Sequence, residues 1–362
     1  MDYRVRWQQR RRQRAQQRLL AIPAALVLAL LIYGLMRLFA GGGHIYWMYE
    51  EPGQTVPRFA VGPATVHIAW SDGHMVTLQA RNGISITAGP FFSKPEAFNV
   101  PPLLANHALY QGSDLGMMRA IEARTGQLLW EFDSGAPIRS RPVEEGDRIY
   151  FGNDAGKVYA FALGGTKIWG RELGAAVSGD GAIIGDRVFF ATTGGSVYAL
   201  KRSDGATIWK RDVGAPVFSP VTGADPLVMV GSDTGSLFVL SAADGKPVTG
   251  AYRTAGLVRE GVAVTEETMC FGSTDGWVRA ISRDGKRPLW AQYLGGPVTA
   301  GPGAYDGLIY AASPNRLYAL QADNGRTRRM WKGEEFAGEV VATRDTVYVG
   351  TTTGRVLALV AP

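Results

Sequence analysis

Glycine returns in this chain at a near-constant interval. Gly73, Gly116, Gly156, Gly195, Gly235, Gly276 and Gly354, with Asn315 standing between the last two, follow one another at spacings of 39 to 43 residues. A second series keeps step with it at Gly83, Gly126, Gly165, Gly205, Gly245, Gly285 and Gly325. Self-similarity with a period of about 20–50 residues marks a repeat architecture, in which no unit buries its apolar face alone. Glycine supplies the positive φ of tight hairpin turns, so two series predict two such turns per unit. Between them lie β-branched and aromatic runs, as in Ile149-Tyr150-Phe151, Val158-Tyr159-Ala160-Phe161 and Lys167-Ile168-Trp169. That alternation is a strand-and-hairpin pattern. Helical solenoids share the period, but no segment carries a 3.6-residue apolar repeat of useful length.

Superposing the copies assigns four strands to each. The inner strand reads Ala136-Pro137-Ile138-Arg139-Ser140-Arg141-Pro142-Val143 and returns at 215–221 and 296–302. The second strand holds Tyr150, Phe189 or Tyr348; the third is 158–161, 197–200, 317–320 and 356–359. The fourth ends on Trp130, Trp169, Trp209, Trp290 or Trp331. Four short strands per period of roughly 40 residues predict an all-β fold: an eight-bladed β-propeller of four-stranded antiparallel blades, with seven blades as the alternative. The last copy has only three strands, whereas His44-Ile45-Tyr46-Trp47 resembles an outer strand without a blade of its own. Residues 44–50 are therefore expected to close the last blade and remove two open sheet edges.

The net charge of +6 belongs to one end. Residues 1–40 carry eight arginines and one acid, Asp2, while the remainder holds 30 basic and 31 acidic residues. Residues 19–36 are free of charge, long enough for a hydrocarbon core of about 30 Å. Seven arginines precede the run and one follows it, which predicts a cytoplasmic N-terminus. A cleaved secretory signal ending near Ala40 is the alternative, but its apolar region spans only about 7–15 residues, shorter than this one. The expected organisation is a basic cytoplasmic tail (1–18), one N-terminal transmembrane helix acting as signal anchor (19–40), a glycine linker (41–43) and the propeller (44–362). This implies a single-pass protein of the bacterial inner membrane with the ring periplasmic or otherwise extracytoplasmic. The arginines read as topology and attraction for anionic lipid, and no nucleic-acid partner is expected. The single cysteine, Cys270, excludes an intramolecular disulfide.

The run Pro-Val-x-Ser-x-Pro-Val, then Val-Tyr-x-Gly-x-x-x-Gly-x-Val-Tyr-Ala-Leu, then Gly-x-x-x-Trp resembles the PQQ-like propeller repeat, the repeat of pyrroloquinoline-quinone enzymes. The resemblance covers almost all of 44–362. In size and blade number the chain is most similar to the propeller lipoprotein of the bacterial outer-membrane β-barrel assembly machinery, a non-enzymatic scaffold. It differs in having no lipobox cysteine after the apolar segment. The resemblance also admits an enzymatic branch that binds the quinone and calcium on the axis. That branch would require adjacent cysteines, a calcium ligand set and a catalytic aspartate, and one cysteine cannot form the disulfide ring.

Other chemistry is weakly signalled. His44, His67, His74 and His107 show no metal spacing, and His67 stands where other copies have Tyr150 or Phe189. Cys270 aligns with the same position and reads as a buried thiol. Asp72, Asp154, Asp233 and Asp275 recur at the turn of each copy, which turn chemistry explains. No catalytic, cofactor-binding or metal-binding residue is assigned. The candidate partner-binding residues are charges on the inner segments that should line or rim the channel: Arg139, Arg141, Asp180, Arg259, Glu260 and Glu339. The reading is a membrane-anchored, non-enzymatic scaffold that needs no cofactor and sits in an envelope complex of membrane or envelope proteins. Outer-membrane protein assembly is one setting. The alternatives are a quinone-dependent dehydrogenase and a ligand- or polysaccharide-binding sensor.

Overall fold

The computed structural model describes residues 45–51, 54, 56–89 and 96–362. The expected tail, anchor and linker (1–18, 19–40 and 41–43) and His44 lie outside them. The described residues form 32 strands, and no helix among them is long and apolar enough to cross a membrane.

The strands make six four-stranded antiparallel sheets and one of eight strands. The larger sheet is two four-stranded antiparallel sets joined by a single parallel bridge, Ala300 to Gly338. Counted from Arg58, the four-stranded units span 58–89, 103–133, 143–172, 182–212, 222–253, 263–293, 300–332 and 336–360. The eighth unit takes its fourth strand from Ile45–Glu50, which runs antiparallel to Arg355–Val360 with Met48 opposite Leu357 and Glu50 opposite Arg355. The middle strands are apolar on both faces because each unit is covered by two neighbours. Thus Ile149, Tyr150, Phe151, Val158 and Ala160 are all buried. The core is a series of interfaces between units, such as Phe189 and Trp209 against Val228, Val230 and Leu240.

One contact repeats at these interfaces. The indole N–H groups of Trp47, Trp130, Trp169, Trp209 and Trp290 donate to the carbonyls of Ala80, Leu163, Arg202, Ala242 and Ala322 in the following unit, at 2.7 to 3.0 Å. Each ring also lies on a glycine of the second series. A Cβ on Gly83 (φ +70) would fall 2.7 Å from the Trp47 indole, and Gly165, Gly205, Gly245 and Gly325 are equally close to their tryptophans. These glycines therefore serve twice, in the turn and as the floor under an indole. Where tryptophan is absent, Tyr252 donates to Gly285 O (3.0 Å) and Arg329 to Val360 O (3.0 Å).

Three expectations need correction. Residues 136–142 are not a ladder strand; the inner strand is only Val143–Glu145, and its counterpart after 215–221 is Thr222–Ala224. Pro137 and Pro142 have no N–H to give a ladder. The segment instead hangs on the end of the second strand of the preceding unit and on that of its own: Ile138 N donates to Ser113 O (3.0 Å), and Ser140 Oγ accepts from Gly152 N and donates to Gly152 O. The fourth strands do not end on tryptophan either, since Lys167–Glu172 continues three residues past Trp169. Trp331 is also out of series. Trp130, Trp169, Trp209 and Trp290 face Ala120, Ala160, Ala199 and Ala280, but the residue opposite Ala319 is Arg329.

Candidate functional site

The six candidate charges separate into two groups. Arg141, Asp180, Glu260 and Glu339 come from the innermost segments of units three, four, six and eight. These units are not all neighbours, yet Arg141 reaches both Asp180 and Glu339, and Glu260 lies close enough to feel the two acids. Arg141 Nη1 is 3.0 Å from Glu339 Oε1 across 198 residues of chain. The Arg141 backbone N–H donates to Asp180 Oδ1 at 2.7 Å. Burial raises the Asp180 carboxyl above its ordinary range, opposed by Arg141 and by Arg58. Glu339 is raised for the same reason, with Arg141 opposing and Asp180 adding to the rise. Glu260 is pushed up to about 7, by burial first and then by Glu339 and Asp180, while Arg58 opposes. Glu339 keeps 27% of its side-chain surface, so the axis is lined by partly desolvated charges rather than packed shut.

Arg58, at the start of the first inner strand, belongs to this cluster and is absent from the sequence-derived set. The signal that would have found it is the one used for the others, a charge on the inner segment of its unit. Three carboxylates then face two guanidiniums. Removing water from like charges disfavours their simultaneous ionisation, which is why the acids rise despite nearby arginines.

Arg139 and Arg259 sit elsewhere, about half exposed on the rim. Arg139 bridges Asp114 (3.3 Å) and Asp154 (3.0 Å), tying the turns of units two and three together. Arg259 grips Asp233 through Nε (2.8 Å) and Nη2 (2.6 Å) and lies 5.7 Å from the Phe218 ring centre. The turn aspartates thus also anchor rim arginines. His67 is buried and hydrogen-bonded to Thr65 Oγ1 (2.8 Å) and Thr77 Oγ1 (3.0 Å), and burial lowers it to about 4. Cys270 is buried, its thiol pushed up to about 12. Among the described residues no group of three or more His, Cys, Asp or Glu is placed to hold a metal.

Four-stranded antiparallel units that lock by outer-strand tryptophans and turn charged inner segments to a common centre define a β-propeller. The chain belongs to the family whose model is described as outer membrane protein assembly factor BamB, matched over residues 59–163, 154–252 and 249–361. The solved structure of BamB from Moraxella catarrhalis has a TM-score of 0.74 at 15% identity, covering 88% of this chain and 100% of that one. The computationally designed Ika8 protein is similar at a TM-score of 0.78 and 13% identity (88% and 100% covered). Sqt1 of Saccharomyces cerevisiae is similar at 0.76 and 13% (89% and 100% covered). At such identities these structures share the fold alone. A search of curated protein sequences finds no match.

Proposed function

We propose that this protein is a non-enzymatic, eight-bladed propeller that serves as a protein-interaction scaffold in a bacterial envelope complex of the kind that assembles outer-membrane proteins. Residues 19–40 tether it to the inner membrane, with the N-terminus in the cytoplasm and the ring outside it. The observation that carries this reading is the family match, which runs through nearly the whole ring and bears the description of an assembly factor. The site is consistent with it: the conspicuous charges are engaged with one another or with turn aspartates, which stiffens a platform and leaves recognition to its rim.

Charge reversal separates platform from rim. Arg139→Glu and Arg259→Glu alter exposed pairs, and surface pairs contribute about 0–1 kcal/mol, so both variants stay folded. Crosslinking in intact cells, followed by purification through the ring, should show partners lost from either variant. A partner profile identical to that of the parent protein would remove the rim from the reading. Recovery of no envelope protein with the parent would remove the scaffold role itself.

A further inference from the structure

The outer strands of the ring are not equivalent. In units four and six, Ile208 and Leu289 precede the tryptophan, and the strand also carries charge or polarity: Lys210, Arg211 and Asp212 in one, Gln292 in the other. The strand of unit seven presents Arg328 and Lys332. The strand of unit six, Pro288–Tyr293, has neither lysine nor arginine and leaves Leu289 and Tyr293 exposed, but it stands alone between strands that carry Arg253 and Arg328. Units eight, one and two are three consecutive units of that kind. Their outer strands Ile45–Glu50, Ser85–Gly89 and Leu128–Asp133 contain no lysine or arginine. On and beside them Tyr46, Met48, Ile84, Ile86, Leu128 and Leu129 are each 42–58% exposed. Two of the three acids on these strands are already neutralised, Glu50 by Arg355 and Glu131 by Arg119. Sheet edges left open to water ordinarily carry lysine or other charge; this arc has no lysine or arginine, and Asp133 is the one acid on its strands outside an ion pair with arginine.

The three strands are neighbours. Trp47 lies on Gly83, in the turn just before Ser85–Gly89, and Thr77 Oγ1 of unit one donates to Ala123 O of unit two at 3.4 Å. Three consecutive units thus carry their exposed apolar side chains on neighbouring outer strands, and a large exposed apolar patch marks an interaction surface.

The covalent chain says what covers it. Ile45 follows Ala40, the last residue of the expected membrane segment, by five residues, three of them glycine. Fully extended, that joint reaches at most about 17 Å. The arc begins on the very strand the joint feeds. We propose that this edge is a lipid-contact surface, with Tyr46, Ile86 and Leu129 seated in the headgroup region of the bilayer. Aromatic and aliphatic side chains of an interfacial surface bury about 5–10 Å into that zone. The inference rests on the membrane anchor proposed above and goes beyond it by fixing which edge of the ring faces the membrane.

The test uses the full chain reconstituted into phosphatidylcholine vesicles containing doxyl-labelled lipid. Single cysteines replace Tyr46, Ile86, Leu129, Ile208 or Leu289 and receive a bimane fluorophore; Cys270, being buried, takes none in the parent chain. Doxyl lipid is expected to quench the probes at 46, 86 and 129 several-fold more strongly than those at 208 and 289 on the opposite units. Chain that floats with the vesicles while all five probes are quenched alike overturns the lipid-contact surface and leaves the anchor standing. So does selective protection of the arc by an added envelope protein when the probes are not quenched in vesicles that hold this chain alone. Chain that does not float overturns the anchor and the inference together.

Discussion

Trp47 offers the most direct test of how the ring is held. It lies some three hundred residues from its strand partner Ala358, yet its surroundings match those of Trp209, which sits between consecutive units. Trp47 is 8% exposed and Trp209 9%. Their indoles donate to Ala80 O at 2.7 Å and Ala242 O at 3.0 Å. Each packs 5.8 Å from an aromatic ring of its own unit, Tyr348 or Phe189, and each covers a turn glycine of the next. Truncating a buried tryptophan to alanine costs about 3–5 kcal/mol, including the cavity. The indole hydrogen bond is lost as well, adding about 1 kcal/mol, while Ala80 O keeps the Tyr348 hydroxyl at 3.4 Å. At roughly 2–4 °C per kcal/mol for domains of a few hundred residues, these 4–6 kcal/mol should lower the melting temperature of Trp47→Ala by about 8–24 °C. Trp209→Ala should match it, whereas Ile208→Ala on the exposed face should change stability by less than about 0.5 kcal/mol. The assay is calorimetry on the full protein, with urea midpoints as a second readout. If Trp47→Ala melts like Ile208→Ala while Trp209→Ala falls as expected, the N-terminal strand does not hold the ring and the reasoning is refuted.

Further outcomes follow from the axis and the core. Glu260 in the folded protein keeps its proton up to about pH 7, while the unfolded chain loses it near the ordinary glutamate value. Its contribution to stability is therefore present at low pH and is lost as pH rises through about 7. Subtracting urea-unfolding free energies of Glu260→Gln from those of the parent should show a decline of about 1–3 kcal/mol from pH 5 to 8; a flat difference would contradict the axial placement. Cys270 should resist a thiol reagent in the native protein and react at once in denaturant, because a buried, undissociated thiol is a poor nucleophile. Rapid native labelling, followed by mass spectrometry, would contradict its burial.

Much of this architecture was legible in the primary structure for a specific reason. Every unit solves the same packing problem, so the solution is written repeatedly and comparison cancels what is accidental. The aromatic position held by Tyr150, Phe189 and Tyr348 proves to be the platform beneath the tryptophans, and His67 and Cys270 stand at the same place in their units. The inner segments resemble strands in sequence because their residues alternate, but Pro137 and Pro142 withhold the N–H groups a ladder requires. The neighbourhood of Trp331 resembles the others in one dimension; only the pairing of Ala319 with Arg329 shows that arginine fills the tryptophan's place.

The candidate site was half legible. The charges of the inner segments stand out because those segments are otherwise small and apolar, and four of the six do converge. Arg58 escaped notice, and nothing in the sequence separates axial Arg141 from rim Arg139, two residues away. Periodicity reports how a chain packs against its own copies. Which charges meet across the centre, which arginines reach a turn aspartate of another unit, and which outer edges are left apolar side by side depend on residues that differ between copies. Those relations join positions as far apart as Arg141 and Glu339, and only the closed tertiary structure brings them within a hydrogen bond of each other.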